Sequence, residues 1–364
     1  MDDNKEKIIE KKYKRRVRYN GTHPKTYREK YKEHQPEKYA DTIEKVIRKG
    51  STPAGMHIPI CVQEILDFLQ IKPGQKGLDV TLGYGGHTLE MLSCLKGEGH
   101  HYALDIDPIE IVKTKKRLEE QGFGENILTI KQMNFEKIDE LVKEVGPFDY
   151  ILGDLGVSSM QIDDPERGFS YKTKGPLDLR LNPQKGYSAA DRIKDITEKE
   201  LEGMLIENAD EPYAQKIAKA IILERKKKPI LTTTDLQQII EAALQGIPKE
   251  KQIEEIKKSC QRTFQALRID VNNEYEVLDS FLKKLPNALN EGGRVAILTF
   301  HSGEDRLVKK SFKEFYKSGL YREIATEVIR PSKEEQFRNG RARSAKMRWA
   351  IKAKDKEISF HREE

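Results

Sequence analysis

Cysteine is scarce: Cys61, Cys94 and Cys260 are the only three in 364 residues, far apart and odd in number. That excludes a disulfide framework and any CxxC metal site, so no metal is expected and the reading is a reducing cytoplasm. Long apolar runs are missing as well. No stretch approaches the roughly 20 residues a helix needs to cross a bilayer, so no membrane partner is expected. The opening MDDNKEKIIEKKYKRR lacks the apolar centre of a signal peptide. Internal repeats and low-complexity tracts are absent. Apolar residues make up 37% and charged ones 35%, a balance that fits long polar surfaces. The length leaves room for a second module beside an α/β core.

What is present is unevenly placed. Residues 1–50 hold 16 basic and 9 acidic side chains, net +7, whereas residues 51–364 sum to −1. The same fifty residues carry Tyr13, Tyr19, Tyr27, Tyr31 and Tyr39. Cations meet phosphates and tyrosine rings stack on bases, so residues 1–55 read as a basic extension that contacts RNA phosphates. The plainer alternative is a solvated tail without a partner.

Ser51 to Gly55 reads as a linker. An entry helix follows over 57–71, and from Gly77 strands alternate with helices: GLDVTL (77–82), HYALDID (101–107), ILTIKQM (127–133) and DYILGDLG (149–156). This alternation predicts a parallel Rossmann-like α/β sheet with right-handed crossovers. It stops for more than a hundred residues of loop and amphipathic helix, and resumes at GGRVAILTFH (292–301), YREIATEVI (321–329) and AKMRWAIKA (345–353). The expected organisation is a core over 56–162 and 287–364, interrupted by a helical insertion over 163–286. A basic loop, RNGRARS (338–344), separates the last two strand candidates.

The chemistry gathers at strand ends. LDVTLGYGGHT closes a strand on Asp79 and runs into Gly83, Gly85 and Gly86, which let the backbone turn sharply beside a ligand. Thr88 stands where a dinucleotide fingerprint needs its third glycine, and no GK[ST] ending makes a P-loop. Asp79 suits a ligand with a cationic amino-acid end. Asp105 ends the next strand 22 residues after Gly83, where Rossmann-like sheets bind a ribose diol; Asp107 is placed to cap the helix at Pro108. Asp154, in GDLGVSS, ends the fourth strand and is the candidate to accept a proton or hydrogen bond from a substrate amine. QRTFQALRIDVNNE (261–274) and LTFHSGEDR (298–306) carry further polar clusters, with His301 at the same edge.

The ordered set GYGGH, ALDID, DLGVSS-x-QIDD, ERGFSY, GPLDLR, RTFQALRI-x-VN-x-E, FHS-x-EDR and RARS resembles the RsmH (MraW) family of S-adenosylmethionine-dependent 16S rRNA (cytosine-N4)-methyltransferases. The resemblance covers His57 to the C-terminus. It implies a class I methyltransferase sheet, an insertion that helps to recognise substrate, S-adenosyl-L-methionine as cofactor, and rRNA or the small ribosomal subunit as partner; a homodimer is compatible with it. It also implies cofactor contacts at Gly85, Gly86, His87, Asp105, Phe135, Asp154 and Gln161. Two departures stand out: Val80 replaces the family's glycine after Asp79, and the basic extension is absent from ordinary members. They mark a divergent paralogue. The loop after the fourth strand lacks an NPPY-type aromatic, leaving Phe169, Tyr171 and Phe264 as candidates for stacking on a base. The competing readings are the same chemistry on another nucleic-acid site, and a non-catalytic RNA-binding or ribosome-assembly factor on this fold.

Overall fold

Unbroken apolar runs belong to strands covered on both faces, and two central strands form where the sequence carries such runs, at YIL (150–152) and VAIL (295–298). The computed structural model describes residues 59–354, so the basic extension lies outside the described residues. Helix α1 (Val62–Leu69) buries Ile65 and Leu69. Then follow β1 (Lys76–Asp79), α2 (Gly86–Leu95), β2 (His100–Asp105), α3 (Pro108–Glu120), β3 (Leu128–Gln132), α4 (Ile138–Val145) and β4 (Phe148–Asp154). After α5 (Ser159–Asp163) come the helices of the interruption: α6 (Ala189–Asp195), α7 (Glu198–Ala209), α8 (Ala214–Arg225), α9 (Thr233–Ala243), α10 (Lys249–Asn272) and α11 (Glu274–Ala288). The sheet is completed by β5 (Leu289–Thr299), α12 (Ser302–Lys317), β6 (Tyr321–Ile324), α13 (Lys333–Arg338) and β7 (Lys346–Lys352).

The strand order is β3-β2-β1-β4-β5-β7-β6. The first five run parallel, while β7 pairs antiparallel with both β5 and β6. This is the Rossmann-like α/β sheet expected from the sequence. The chain order reverses between β1 and β4, and a crevice opens at the carboxyl ends flanking such a switch point. Everything chemical below follows from that place.

The helical interruption has its own apolar cluster, including Ile193, Leu201, Leu205, Ile217, Ile221, Leu236, Ile240 and Leu267. Ser188 with Asp191 and Thr197 with Glu200 close capping boxes that start α6 and α7. The packing differs from the expected boundary at Pro286. Asn273, in the left-handed conformation at φ 49°, separates α10 from α11. Beyond it, Leu278, Phe281, Leu282 and Leu285 of α11 join the sheet's cluster with Val295 and Ile297. Pro286 lies inside α11; by packing, therefore, α11 belongs with the sheet. The strand expected over 321–329 is also shorter, ending at Ile324, with Ile329 making only an isolated bridge to Met347.

Candidate active site

The turn after β1 is shaped by glycine. Gly85 caps α2 at φ 80°, and a Cβ there would lie 2.7 Å from Thr114 Cγ2. Any other residue would meet both backbone strain and a clash. The Gly83 N–H donates to Asp105 Oδ2 at 2.7 Å, and the Thr114 hydroxyl donates to the Gly83 carbonyl at 2.7 Å. This pins the loop to β2 and α3.

A cavity of about 350 Å³ opens beside this loop, within the range of small-molecule and cofactor sites. Gly83, Gly85, Gly86, His87, Asp105, Phe135, Asp154 and Gln161 all line it. Asp79, expected at the cofactor, does not. It is 1% exposed, and its carboxylate accepts from Thr81 N at 3.0 Å and from the Thr88 hydroxyl at 2.7 Å. Burial pushes its carboxyl up while these donors pull it down. Asp79 braces the glycine turn from behind, because the strand ends with its side chain turned inward.

Asp105 is half-buried at the rim. Its Oδ1 accepts from Asp107 N at 2.9 Å, and burial pushes its carboxyl up to about 6. Each oxygen keeps a lone pair for a ligand hydroxyl. Asp107 is the α3 cap, as expected, accepting from Ile109 N at 3.0 Å. Its other oxygen receives Gln161 Nε2 at 2.8 Å and Arg167 Nη1 at 2.6 Å. Gln161 therefore touches the cavity while its amide group is tied down: Oε1 accepts from Ser158 N at 2.9 Å. The sequence placed Gln161 at the ligand; the structure makes it a strut as well.

Asp154 stands at the centre. Its backbone N–H donates to Thr81 Oγ1 at 2.6 Å. Oδ1 is buried without a hydrogen-bond partner among the described residues, and Oδ2 lies 3.5 Å from His87 Nδ1. The other His87 nitrogen is 2.9 Å from the Ile60 carbonyl. A carbonyl only accepts, so Nε2 carries hydrogen and Nδ1 faces the carboxylate. That contact is attractive only with a proton on one member of the pair. Burial, with Asp79 and Glu304 nearby, pushes Asp154 up to about 6 against the pull of His87.

The far wall comes from distant sequence: Gln265, Arg268 and Glu274 from α10 and α11, His301 and Glu304 around the start of α12, and Asn339, Arg341 and Ser344 near α13. The sequence singled out these segments but not Arg268, Glu274 or Arg341. Charged side chains at positions of buried helix faces were the available signal. Arg268 Nε and Nη2 hold Glu274 at 2.7 and 2.9 Å. Ligand atoms of Glu274, His301 and Glu304 lie within 4.8 Å of one another, but Arg268 already neutralises one of the two carboxylates. His301 Nδ1 accepts from Glu304 N at 3.4 Å, making it the α12 cap. The three aromatics proposed for base stacking do not line the cavity. Phe169 and Phe264 are 8% and 4% exposed in the insertion's core, and Tyr171 packs edge-on against Phe264.

Sequence comparisons match this architecture to known proteins. The profile of the MraW methylase family matches residues 54–353. Ribosomal RNA small subunit methyltransferase H 1 of Lachnoclostridium phytofermentans is 72% identical, covering 94% of this chain and 93% of its own. Ribosomal RNA small subunit methyltransferase H 2 of Alkaliphilus metalliredigens is 67% identical, covering 94% and 99%. Ribosomal RNA small subunit methyltransferase H of Clostridioides difficile is 38% identical and covers 98% of itself but 81% of this chain. The first two relatives align with so much of the chain that most of the basic extension is included, whereas the third leaves a fifth of the chain unmatched.

Proposed function

This chain belongs to the MraW methylase family, and from that premise we propose that it methylates small-subunit ribosomal RNA at N4 of a cytidine, with S-adenosylmethionine as methyl donor. The observation that carries the reading is Asp154 Oδ1, a buried acceptor left without a partner in the cavity at the switch point of the sheet. The cavity fits the cofactor. Asp105 offers free lone pairs to a ribose diol, and the first turn of α2 presents N–H groups and a positive dipole end to a carboxylate. Phe135 gives an apolar wall, and the carboxylates of Asp105, Asp154 and Glu304 suit a cationic ligand. When bound, S-adenosylmethionine supplies an already activated methyl group.

The protein's task is then placement and proton handling. An exocyclic amine sheds one proton as it gains a methyl, and cytosine N4 is a weak nucleophile because its lone pair is delocalised into the ring. Asp154 orients the amine through hydrogen bonds and takes the proton. His87, held by the Ile60 carbonyl, faces Asp154 Oδ2 at 3.5 Å and pulls that carboxyl down against burial, which favours the carboxylate form. The base leaves its stack to enter, and a helical insertion beside the opening helps to recognise the RNA around it. Asp154→Asn should still bind S-adenosylmethionine by calorimetry, weakened by the loss of one carboxylate facing the cationic ligand, while methyl transfer at saturating cofactor falls by about a hundredfold or more, in the range of general-base effects. A folded variant with wild-type turnover would remove Asp154 from the chemistry.

A further inference from the structure

The basic loop near the C-terminus lends Asn339, Arg341 and Ser344 to the cavity's far wall, while most of its charged side chains lie outside the cavity lining. From Arg330 to Arg348 seven basic residues stand against two acidic ones, net +5, although residues 51–364 together sum to −1. Part of this charge is spent internally. Arg338 pairs with Glu334 at 2.6 Å, Arg341 with Asp163 at 3.1 Å, and Lys346 and Arg348 with Asp305 at 3.1 and 2.7 Å. Arg330, Lys333 and Arg343 are exposed, with no anionic partner among the described residues.

Phe337 stands among them with 86% of its surface in water. A single exposed apolar side chain needs no explanation by itself. This one sits two residues before Asn339, which lines the cavity with Arg341 and Ser344. The backbone beneath is held firmly. Ala342 and Ala345 are fully buried, Glu335 Oε1 accepts from Cys61 N at 3.0 Å, and Gln336 Nε2 donates to the Pro331 carbonyl at 2.8 Å. Arg341 N donates to Asn339 Oδ1 at 3.1 Å, closing the turn. An exposed ring on a held backbone, in a segment that also carries cations and lends residues to a cavity wall, is the arrangement that holds a nucleic-acid strand by stacking and phosphate contact.

We infer that residues 330–344 form a docking lip for the single-stranded RNA flanking the target nucleotide, with Phe337 stacking on a neighbouring base and Arg343 meeting a phosphate. This rests on the RNA-methyltransferase reading of the cavity. It explains how a strand stays in place while one base is withdrawn, a task the buried aromatics of the insertion cannot perform.

The test uses the full chain and a fluorescein-labelled single-stranded oligocytidylate of about 12 nucleotides, within the usual site size of such grooves. Fluorescence anisotropy is read across a salt series. Phe337→Ala should weaken binding about fivefold or more with an unchanged salt slope, and Phe337→Tyr should restore it. Arg343→Glu should weaken binding and flatten the slope by about 0.7, one phosphate's worth on a single strand. Both positions are exposed, so thermal unfolding should match wild type. Calorimetry with S-adenosylmethionine on the same preparations separates the two levels of the argument. Wild-type protein that fails to bind the cofactor overturns the methyltransferase reading. Variants that bind both cofactor and RNA as wild type does overturn the lip, and would be the result if the segment docks a protein instead.

Discussion

At the scale of the residue, the account turns on two carboxylates with different surroundings. Asp105 lines the cavity rim with lone pairs to spare for a ligand hydroxyl, and hydrogen bonds to a charged group contribute about 1.5–3 kcal/mol. Asp105→Ala should therefore weaken S-adenosylmethionine binding at least about tenfold by calorimetry; unchanged affinity would remove it from the site. Asp154 must be ionised to accept a proton, and its carboxyl is pushed up to about 6 chiefly by burial. The charged form is lost as pH falls through that value, so turnover should decline on an acid limb near pH 6. An ordinary aspartate would hold the rate down to about pH 4. His87→Asn removes the group that pulls Asp154 down while Asp79 and Glu304 remain, so Asp154 should rise further and the limb should move to higher pH. A pH–rate profile of both proteins decides this, and superimposed limbs would show that His87 does not act through Asp154.

At the scale of the element, some of this was legible and some was not. Pro108 fixes the first turn of α3, so Asp107 could be named as its cap and Asp105 left for the ligand. The glycine turn was readable because only glycine tolerates φ 80° beside Thr114. Asp79 misled because its partners, Thr81 and Thr88, satisfy it from inside the same turn, which spacing alone does not reveal. The far wall was hidden because it is assembled from α10, α11, α12 and the α13 segment, more than a hundred residues beyond β4. Apolar periodicity likewise could not tell whether α11 faced the insertion or the sheet. One joint between these parts carries a direct prediction. Arg167 and Asp107 form an ion pair with side chains 6% and 0% exposed, tying the loop after α5 to the head of α3. Removing one member of such a pair leaves an uncompensated buried charge and costs about 3–5 kcal/mol. Arg167→Ala should lower the urea midpoint accordingly, and a midpoint within error of wild type would show the pair to be dispensable.

At the scale of the whole molecule, a family catalytic body carries two basic segments: an extension that precedes the family match, and a lip that lies within it. Relatives named as the H 1 and H 2 enzymes span nearly the whole chain, while that of Clostridioides difficile matches 81% of it. The family match begins at residue 54, so the extension lies outside the region that the family shares. Deleting residues 1–50 should weaken RNA binding and flatten its salt dependence by about 0.7–0.9 per phosphate released, with cofactor affinity unchanged. Equal RNA binding at every salt concentration would make the extension a passive tail. The central claim, that this sheet and cavity methylate a cytidine at N4, is tested most directly by nucleoside mass spectrometry. Small ribosomal subunits from cells lacking the gene would be incubated with the purified chain and S-adenosylmethionine bearing an isotopically heavy methyl. The account predicts heavy N4-methylcytidine, lost with Asp154→Asn; label on a different nucleoside, or none at all, would contradict it.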